Sequence, residues 1–228
     1  CQTPFLFKAR FRHRSIASVR EHVRRQLTLD MTDVRFLTPT SMSYGTRGED
    51  PDLDAIERLL RAVREELPSH GRVYFGRFPS EIRPEHASVE ALSLVKRLCD
   101  NVNVIIGGQS GSDRMLLAAG RGHGTDVVRT AVENCNRVGL RANVDVLFGM
   151  PGESAADAEA TIALCRDLAA LGARIHTHTF MPLPGTPWSH REPGTIDARL
   201  RQAIRELEAR GQAYGSWEAQ QALAQELA

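Results

Sequence analysis

The sequence predicts an α/β fold built on a parallel sheet, and two patterns support this. Short runs rich in β-branched and aromatic residues recur along the chain, and each is followed by a segment with helical periodicity. The runs begin about 30–40 residues apart, which is the length of one βα unit. Five strands alternating with helices predict a parallel sheet that is either open or curled into a barrel.

Each element has its own signal. The five predicted strands are Val34–Thr38, Arg72–Gly76, Asn103–Gly107, Ala142–Gly149 and Ile175–Phe180. Helices are predicted from Ser15 through Leu27, from the Glu49-Asp50-Pro51 turn to just before Pro68, and over Ser88–Leu98, Thr125–Val138, Ser154–Leu171 and Thr195–Arg210. Gly139, Gly172 and Gly211 follow the last three, where glycine commonly ends a helix. A polar, Gln-rich helical tail is predicted at about residues 212–228. Residues 1–228 are interpreted as one domain because no linker interrupts them.

Composition excludes several classes of protein. The 228 residues carry 29 Lys and Arg against 28 Asp and Glu, a net charge of +1, so the broad basic surface of a general nucleic-acid binder is not indicated. No apolar run approaches the ~18–20 residues of a membrane span. The four cysteines lie far apart, which indicates a reducing, cytoplasmic environment rather than a disulfide framework. The chain opens on Cys1 rather than Met, so we interpret it as part of a longer protein.

The loops that follow the predicted strands carry most of the informative residues. Ligands of α/β folds bind at the carboxyl ends of the strands, so these loops mark the active face. In the stretch Gly108–Arg114, two glycines allow close backbone approach to a ligand, and Ser110 and Ser112 offer hydroxyls near a helix N-terminus. The alternative interpretation is a capped strand-to-helix turn with no ligand.

Two predicted strands place polar side chains on one face. Asn143 and Asp145 lie two residues apart on one strand, and His176 and His178 do so on the last. Such residues either border a polar interior or satisfy one another in a buried network. The His pair is interpreted as polar lining of a pocket, as structural histidines, or as a divalent metal pair that needs further ligands, for which His123, His190 and Asp145 are the candidates.

The basic stretch from Lys8 to Arg25 and the cysteines have plainer interpretations. The stretch is either a solvated helix face paired with acids such as Glu49 and Asp50, or it places Arg12 or Arg14 where a carboxylate or phosphate binds. Cys135 and Cys165 fall in predicted helices and Cys99 directly follows one, without paired spacing, which predicts small buried apolar residues.

Taken in order, several strings resemble the radical S-adenosylmethionine (radical SAM) superfamily. They are similar to the uncharacterised group in which the radical SAM domain follows an N-terminal cobalamin-binding domain, and more distantly to methylthiotransferases. The matching strings cover nearly the whole chain up to the tail: CQTP and RFRHRS (residues 1–4 and 10–15), RFLTPTSMSYG (35–45), YFGRFPSEIRPE (74–85), GGQSGSDR with RGH (107–123), VDVLFGMPGE (144–153) and HTHTFMPLPGTPW (176–188).

The resemblance implies a partial (β/α) barrel of the radical SAM type and roles for individual residues. Cys1 would be a ligand of a [4Fe–4S] cluster, although the CxxxCxxC motif of the family is absent, so the first strand and the other two cysteines are expected upstream of the five βα units present. The remaining roles are cofactor contacts at Thr38, Thr40, Gln109, Ser110, Ser112, Arg121, Phe180 and Met181, and a substrate-facing set of Tyr44, Asn143, Asp145, His176 and His178.

The implied activity is reductive cleavage of S-adenosylmethionine (SAM) to a 5′-deoxyadenosyl radical, with an electron donor as partner. It would extend to methyl transfer if an upstream domain binds cobalamin. The fragment alone is expected to be inactive, because one cysteine cannot hold a cluster. Two alternatives stay open: a metal-dependent hydrolase that uses His176 and His178, and a non-catalytic module that binds a partner or RNA through its basic N-terminal stretch. The substrate is not identified.

Overall fold

The computed structural model describes Phe5, residues 12–46 and residues 48–226. Within these ranges strands and helices alternate. The elements in chain order are α1 (Ile16–Leu27), β1 (Asp33–Arg35), α2 (Leu53–Glu66), β2 (Arg72–Tyr74), α3 (Val89–Leu98), β3 (Asn103–Gln109), α4 (Asp113–Ala118), α5 (Thr125–Arg137), β4 (Arg141–Phe148), α6 (Ala155–Ala170), β5 (Arg174–Thr179), α7 (Ala198–Ala209), β6 (Ala213–Tyr214) and α8 (Trp217–Glu226).

All the described strands run parallel and lie side by side in chain order. One sheet pairs β1 with β2, and the other has the order β3-β4-β5-β6. The two sheets meet where Gly76 and Ile82 bond to Ile105 of β3: the Ile105 N–H donates to the Gly76 carbonyl, and the Ile82 N–H donates to the Ile105 carbonyl, both at 2.8 Å. This arrangement is a partial barrel, as predicted.

Side chains of two residues between α3 and β3 interrupt the ladder between the sheets. Asn101 donates to the carbonyls of Phe75 and Asn103 and accepts from the Phe75 N–H at 3.1 Å. Asp100 accepts the Val73 N–H through its carboxylate at 2.8 Å. These groups occupy backbone positions that would otherwise pair strand to strand, so the sheet divides here while its polar atoms stay satisfied.

The outer face of the larger sheet carries the apolar core. Val144, Val146 and Ile175 are fully buried and pack with apolar residues of α5, α6 and α7. In β5 the residues of this face alternate with less buried ones, and Arg174, His176 and His178 occupy the opposite, inner face. In β4 and β5, helices bury one face of the strand and the other face borders a polar interior. This explains why both strands contain polar residues.

Side-chain caps mark the starts of two helices. The Asp52 side chain accepts the Ala55 N–H at the start of α2, and Ser154 and Asp157 form a capping box at the start of α6. Such caps stabilise a helix by about 1 kcal/mol each. Among the described residues, no helix is both long and apolar enough to cross a bilayer.

Three details differ from the sequence prediction. β1 ends at Arg35 rather than Thr38, because Pro39 lacks an N–H for the ladder and its ring restricts the residue before it. β2 ends at Tyr74 rather than Gly76, whose positive φ of 64° leaves the strand geometry. The tail contains a sixth strand, β6, which pairs Ala213 with Ile175 and Tyr214 with His176. Two residues are too few to show a strand periodicity.

Candidate active site

A row of residues in register crosses the inner face of the larger sheet. Gly107 of β3 pairs with Asp145 of β4, Asp145 pairs with His176 of β5, and His176 pairs with Tyr214 of β6. Neighbouring strands lie about 4.8 Å apart, so the whole row spans about 15 Å. Polar side chains gather at both ends of this row and form two clusters.

The first cluster surrounds Gly107. The Arg121 guanidinium donates to the Gly107 carbonyl at 2.9 Å and to Nε2 of His123 at 3.2 Å. A Cβ atom added to Gly107 would lie 2.9 Å from Nη2 of Arg121, 3.1 Å from Nε2 of Gln109 and 3.1 Å from Oε2 of Glu81. The absence of a side chain at Gly107 therefore lets a guanidinium, an amide and a carboxylate converge at one point.

Burial sets the electrostatics of this cluster. Burial raises the pKa of Glu81, and the Arg121 charge opposes this shift. Burial lowers the pKa of Arg121, and the charges of Glu81 and Glu85 oppose that shift. The pKa of His123 is lowered by burial and by the Arg121 charge. A partly desolvated cation beside a partly desolvated carboxylate suits a ligand that brings both an anionic and a cationic group.

Gln109 sits at a distorted point of β3. Its φ is +64°, and the pairing of β3 with β4 shifts between Gly107 and Gln109. A non-glycine residue in the left-handed region costs about 1–3 kcal/mol, and such bulges redirect side chains near functional sites. Here the distortion turns the amide of Gln109 toward Gly107 and Arg121.

The second cluster contains Asp145, His176 and His178. Nδ1 of His176 lies 3.0 Å from Oδ1 of Asp145 and 3.1 Å from Nε2 of His178, and Nε2 of His178 lies 3.9 Å from Oδ1 of Asp145. The three side chains share the inner face of the sheet and contact one another there. In the part of the chain that the structure describes, this is the group of His, Cys, Asp and Glu side chains compact enough to hold a metal ion.

Residues of the C-terminal segment hold the two imidazoles. The Tyr214 ring stacks on the His176 ring, with centroids 4.6 Å apart and planes 6° apart. The Gln220 amide nitrogen lies 3.1 Å from Nδ1 of His178, while its oxygen accepts the Thr179 N–H at 3.0 Å. Because a backbone N–H can only donate, the orientation of the Gln220 amide is fixed, and His178 Nδ1 is the acceptor.

Charges in the second cluster act on one another. Burial raises the pKa of Asp145, but bonds from His176 and His178 outweigh it, and the net pKa is lowered. Burial and the Asp145 charge raise the pKa of Tyr214, and a hydrogen bond from Asn143 opposes them. Asn143 Oδ1 is buried without a partner, so an acceptor remains unused beside the row.

The structure directs Ser110 and Ser112 away from the two clusters. The Ser110 hydroxyl bonds Thr161 of α6 at 3.2 Å, and the Ser112 hydroxyl donates to Asp157 of α6 at 2.6 Å. Arg114 also binds Asp157. These hydroxyls are used in packing α6, as in the capped-turn interpretation, so of this motif only Gly107 and Gln109 point into the candidate site. Neither the Ser110 hydroxyl nor the Ser112 hydroxyl is therefore free to make the predicted contact with SAM.

Residues predicted after β1 lie outside both clusters. The Thr38 hydroxyl donates to the Thr40 carbonyl at 3.2 Å, and the Thr40 and Ser43 hydroxyls are 3.3 Å apart, so both threonines stabilise their own turn. Tyr44 donates to the Arg14 carbonyl at 2.9 Å and lines an open groove between the starts of α1 and α2. Cofactor contacts at Thr38 and Thr40 and a substrate contact at Tyr44 stay predictions.

Phe180 is fixed by the fold on both sides. Its N–H donates to the Phe148 carbonyl at 2.8 Å, and its carbonyl accepts the Gly194 N–H at 3.0 Å. The Phe180 N–H is therefore not available to a ligand, and the predicted cofactor contact at this residue stays a prediction. The role of Met181, which follows and is half-buried, stays a prediction.

The three cysteines within the described residues are buried, as predicted. Cys1 lies outside the described residues. Cys135 and Cys165 are fully buried within α5 and α6, and Cys99 is buried just after α3. Burial raises the pKa of each thiol to about 12. These three are small buried residues rather than metal ligands.

Much of the basic N-terminal stretch is paired with acids. Arg20 and Arg24 both bind Glu66, and Arg25 binds Glu21 within α1. The acidic partners are Glu65, Glu66 and Glu21 rather than the predicted Glu49 and Asp50. This favours the interpretation of a solvated helix face over that of an RNA-binding surface.

Four residues of the site region had no part in the sequence interpretation. Glu81 and Glu153 occur only within strings that carry the family resemblance, and Tyr214 and Gln220 fall in the polar tail. Glu153 accepts the Gly149 N–H at 2.6 Å, and burial raises its pKa to about 7. The register of β6 with β5 was the missing information for Tyr214, and a two-residue strand leaves no trace in the sequence pattern.

Known proteins share both sequence and fold with this chain. A family model of the radical SAM superfamily matches residues 1–165. A tRNA-2-methylthio-N(6)-dimethylallyladenosine synthase of Chlorobium phaeovibrioides is 32% identical over 170 residues, which cover 74% of this chain and 36% of that protein. The threonylcarbamoyladenosine tRNA methylthiotransferase MtaB of Thermotoga maritima is 28% identical over 170 residues, which cover 72% and 37%. The chain thus spans about a third of the length of these relatives.

Two solved structures resemble the fold. The radical SAM methyltransferase TsrM from Kitasatospora setae, with cobalamin and a [4Fe–4S] cluster bound, superposes with a TM-score of 0.57 at 19% identity and covers 78% of this chain and 33% of TsrM. Coproporphyrinogen III oxidase (HemN) of Escherichia coli gives a TM-score of 0.53 at 16% identity, with 70% and 38% covered. At these identities the likeness shows the fold alone.

Proposed function

The chain belongs to the radical SAM superfamily, and we propose that its barrel binds SAM at the Gly107 cluster and presents a substrate to it along the inner face. The matched family confirms the resemblance read from the sequence. The observation that carries the proposal is the in-register row from Gly107 to Tyr214, because it joins a cluster suited to a zwitterionic cofactor to a polar surface where a substrate can bind.

The residues around Gly107 fit SAM by their chemistry. SAM carries a carboxylate, an ammonium and ribose hydroxyls. Arg121 offers guanidinium N–H donors to the carboxylate, and Glu81 offers an acceptor to the ammonium or hydroxyls. The cradle at Gly107 that a Cβ would fill lies between these two side chains. Gln109 would contribute an amide to the same ligand.

The described residues offer no ligands for an iron–sulfur cluster, since their three cysteines are buried away from the row. Cys1 stays the predicted ligand, and a cluster would need two further thiolates that the described residues do not supply. When bound, such a cluster supplies the electron that cleaves SAM to methionine and a 5′-deoxyadenosyl radical. The part of the barrel described here orients SAM and the substrate and excludes water from them.

The inner face beyond Asp145 is the surface proposed for substrate. His176, His178 and Tyr214 line it, and the side chains of both histidines keep 27% of their surface exposed. They can donate and accept hydrogen bonds, and given the strand spacing the backbone of His176 lies about 10 Å and that of Tyr214 about 15 Å from Gly107. A substrate held there lies beside the cofactor that reacts with it.

The test is SAM cleavage by the full-length protein, purified and reconstituted without oxygen. With a chemical reductant as electron donor, we expect 5′-deoxyadenosine to form, as measured by mass spectrometry. Cys1→Ala should abolish both the brown colour and the product, whereas Cys135→Ala, which removes a buried thiol, should retain both. A colourless parent that holds stoichiometric zinc and forms no 5′-deoxyadenosine would contradict the proposal and favour the hydrolase alternative.

A finer proposal is methyl transfer that uses cobalamin held by another domain of the parent protein. It is supported by the sequence resemblance to proteins with an N-terminal cobalamin-binding domain. The full-length protein should then copurify with a corrinoid visible by its absorbance after release, and it should move a methyl group from labelled SAM to an acceptor. Absence of corrinoid uptake upon reconstitution would limit the proposal to SAM cleavage.

A further inference from the structure

We propose that Asp145, His176 and His178 form a mononuclear site for a divalent transition cation of the zinc class. The proposal goes beyond SAM cleavage and stands on the geometry of the second cluster alone. Two imidazoles and one carboxylate are a ligand set that zinc and ferrous iron both use when they keep a position open to substrate.

The distances between the ligand atoms suit one ion. Oδ1 of Asp145, Nδ1 of His176 and Nε2 of His178 form a triangle with sides of 3.0, 3.1 and 3.9 Å. The point equidistant from the corners of such a triangle lies about 2.0 Å from each, which matches zinc bonds to imidazole nitrogen and carboxylate oxygen of ~2.0–2.2 Å. An ion can therefore be accommodated with little movement of the three side chains.

Without an ion, no arrangement of protons satisfies all the contacts of the cluster. Gln220 donates to Nδ1 of His178, so neutral His178 carries its proton on Nε2. If Nδ1 of His176 is also protonated, two donors face each other at 3.1 Å. If it is not, its lone pair faces the Asp145 carboxylate at 3.0 Å. A cation at the centre replaces this contact by three ligand bonds and moves the His178 proton to Nδ1, where it faces the Gln220 amide nitrogen.

The site is accessible and leaves room for a further ligand. The Asp145 side chain keeps 21% of its surface exposed and the two imidazoles keep 27% each. Three protein ligands leave at least one position of a tetrahedral ion open. Asp145 is in register with Gly107, so the open position borders the proposed SAM site and suits a substrate that carries a carboxylate or hydroxyl oxygen.

Gln220 provides the sharpest test, because it opposes the ligand form of His178. A metal-bound Nε2 requires the proton on Nδ1, where a second-shell acceptor normally receives it. The amide of Gln220 must then turn, whereas a carboxylate at this position could accept from Nδ1 and from the Thr179 N–H together. Gln220→Glu should therefore tighten zinc binding ten- to hundredfold, in line with second-shell effects elsewhere.

The experiment uses the full-length protein under anaerobic conditions with one equivalent of Zn²⁺. X-ray absorption at the zinc edge should show nitrogen and oxygen ligands at about 2.0 Å with imidazole scattering, and no sulfur shell at about 2.3 Å, which would indicate zinc at cluster cysteines. Competition with a fluorescent chelator gives the affinity. His178→Ala should weaken binding at least tenfold, while His70→Ala, an exposed histidine before β2, should not change it.

Zinc bound only through sulfur, or an affinity indifferent to both His178→Ala and Gln220→Glu, would overturn the proposal. Because these measurements report the ion directly, they are independent of 5′-deoxyadenosine formation. A protein that cleaves SAM but shows the sulfur shell refutes the metal site alone, and one that binds zinc as expected without cleaving SAM refutes the proposed function alone.

Discussion

The two halves of the stretch Gly107–Arg114 have opposite surroundings. Gly107 and Gln109 face the inner side of the sheet, where Arg121 and Glu81 converge with hydrogen-bonding capacity to spare. Ser110, Ser112 and Arg114 face α6, where Thr161 and Asp157 use their polar groups. Both halves contain polar side chains in the sequence.

This comparison shows which polar residues are available to a ligand. On the outer side each donor meets an acceptor within the protein, and Gly111 packs so closely that an added Cβ would clash with the Ala160 carbonyl. On the inner side, the polar groups converge on the space beside a glycine. A satisfied network stabilises the fold, whereas convergent polar groups with unused hydrogen-bonding capacity mark the proposed site.

The largest effect on stability is expected from Asp157→Ala. The carboxylate accepts from Ser112, Ser154 and Arg114, and these bonds, with that of Arg114 the largest, hold its pKa well below the usual range. Its loss leaves a buried hydroxyl unsatisfied and frees Arg114, so the free energy of unfolding should fall by about 3 kcal/mol in urea titrations. The stabilisation is present above the carboxyl's unfolded pKa and is lost as the pH falls below it.

The same variant should bind SAM normally while it is folded. If SAM affinity fell together with stability, the outer network would also be part of the site, and the contrast between the two halves would fail. Asp167→Ala is the matched control, because Asp167 lies on α6 like Asp157 but forms only an exposed ion pair, with Arg129 of α5. This variant should change the free energy of unfolding by less than about 1 kcal/mol.

Arg121→Met should have the converse effect. Removing the guanidinium takes away the proposed partner of the SAM carboxylate, and charged hydrogen bonds contribute about 1.5–3 kcal/mol, so SAM affinity should fall roughly ten- to hundredfold. Stability should change little, because burial already disfavours the Arg121 charge and lowers its pKa. Calorimetric titration of the reconstituted protein measures the affinity. Unchanged binding would remove Arg121 from the site.

Glu153 allows a smaller test through pH. Its folded carboxyl keeps a proton up to about pH 7, whereas the ordinary value is 4.5, because burial disfavours the charge. The folded state therefore binds more protons between these values, and this group lowers stability as the pH rises through that window. Glu153→Gln should raise the free energy of unfolding by about 1–3 kcal/mol above pH 7 and leave it unchanged near pH 4.

The stability gained by Glu153→Gln should depend on pH, and this distinguishes Glu153 from exposed acidic residues. Glu159→Gln, on the surface of α6, should show no gain that grows between pH 4 and 7. A gain of equal size at both pH values for Glu153→Gln would mean that packing rather than the proton is responsible.

Features that repeat along the chain, such as helix limits and strand alternation, could be predicted from the sequence. Contacts between residues on different strands could not. Helix limits followed from signals such as the Glu49-Asp50-Pro51 turn and Gly172, and the shared face of His176 and His178 followed from strand alternation. Which half of the motif faces inward could not be read, because the bulge at Gln109 resets the alternation. The contribution of Tyr214 depends on long-range pairing, which local periodicity does not contain.

The central claim is tested most directly by two glycine variants of the same motif, each measured for SAM affinity and for stability in the full-length, anaerobically reconstituted protein. Gly107→Ala places a methyl group among the flexible ends of Arg121, Gln109 and Glu81. It should reduce SAM affinity at least tenfold and leave the melting temperature nearly unchanged. Gly111→Ala places one against the backbone of α6, 2.5 Å from Cα of Thr161, so it should lower the melting temperature by several degrees and leave SAM affinity intact. The reverse pattern, with SAM binding lost at Gly111 and retained at Gly107, would contradict the assignment of the inner face as the site.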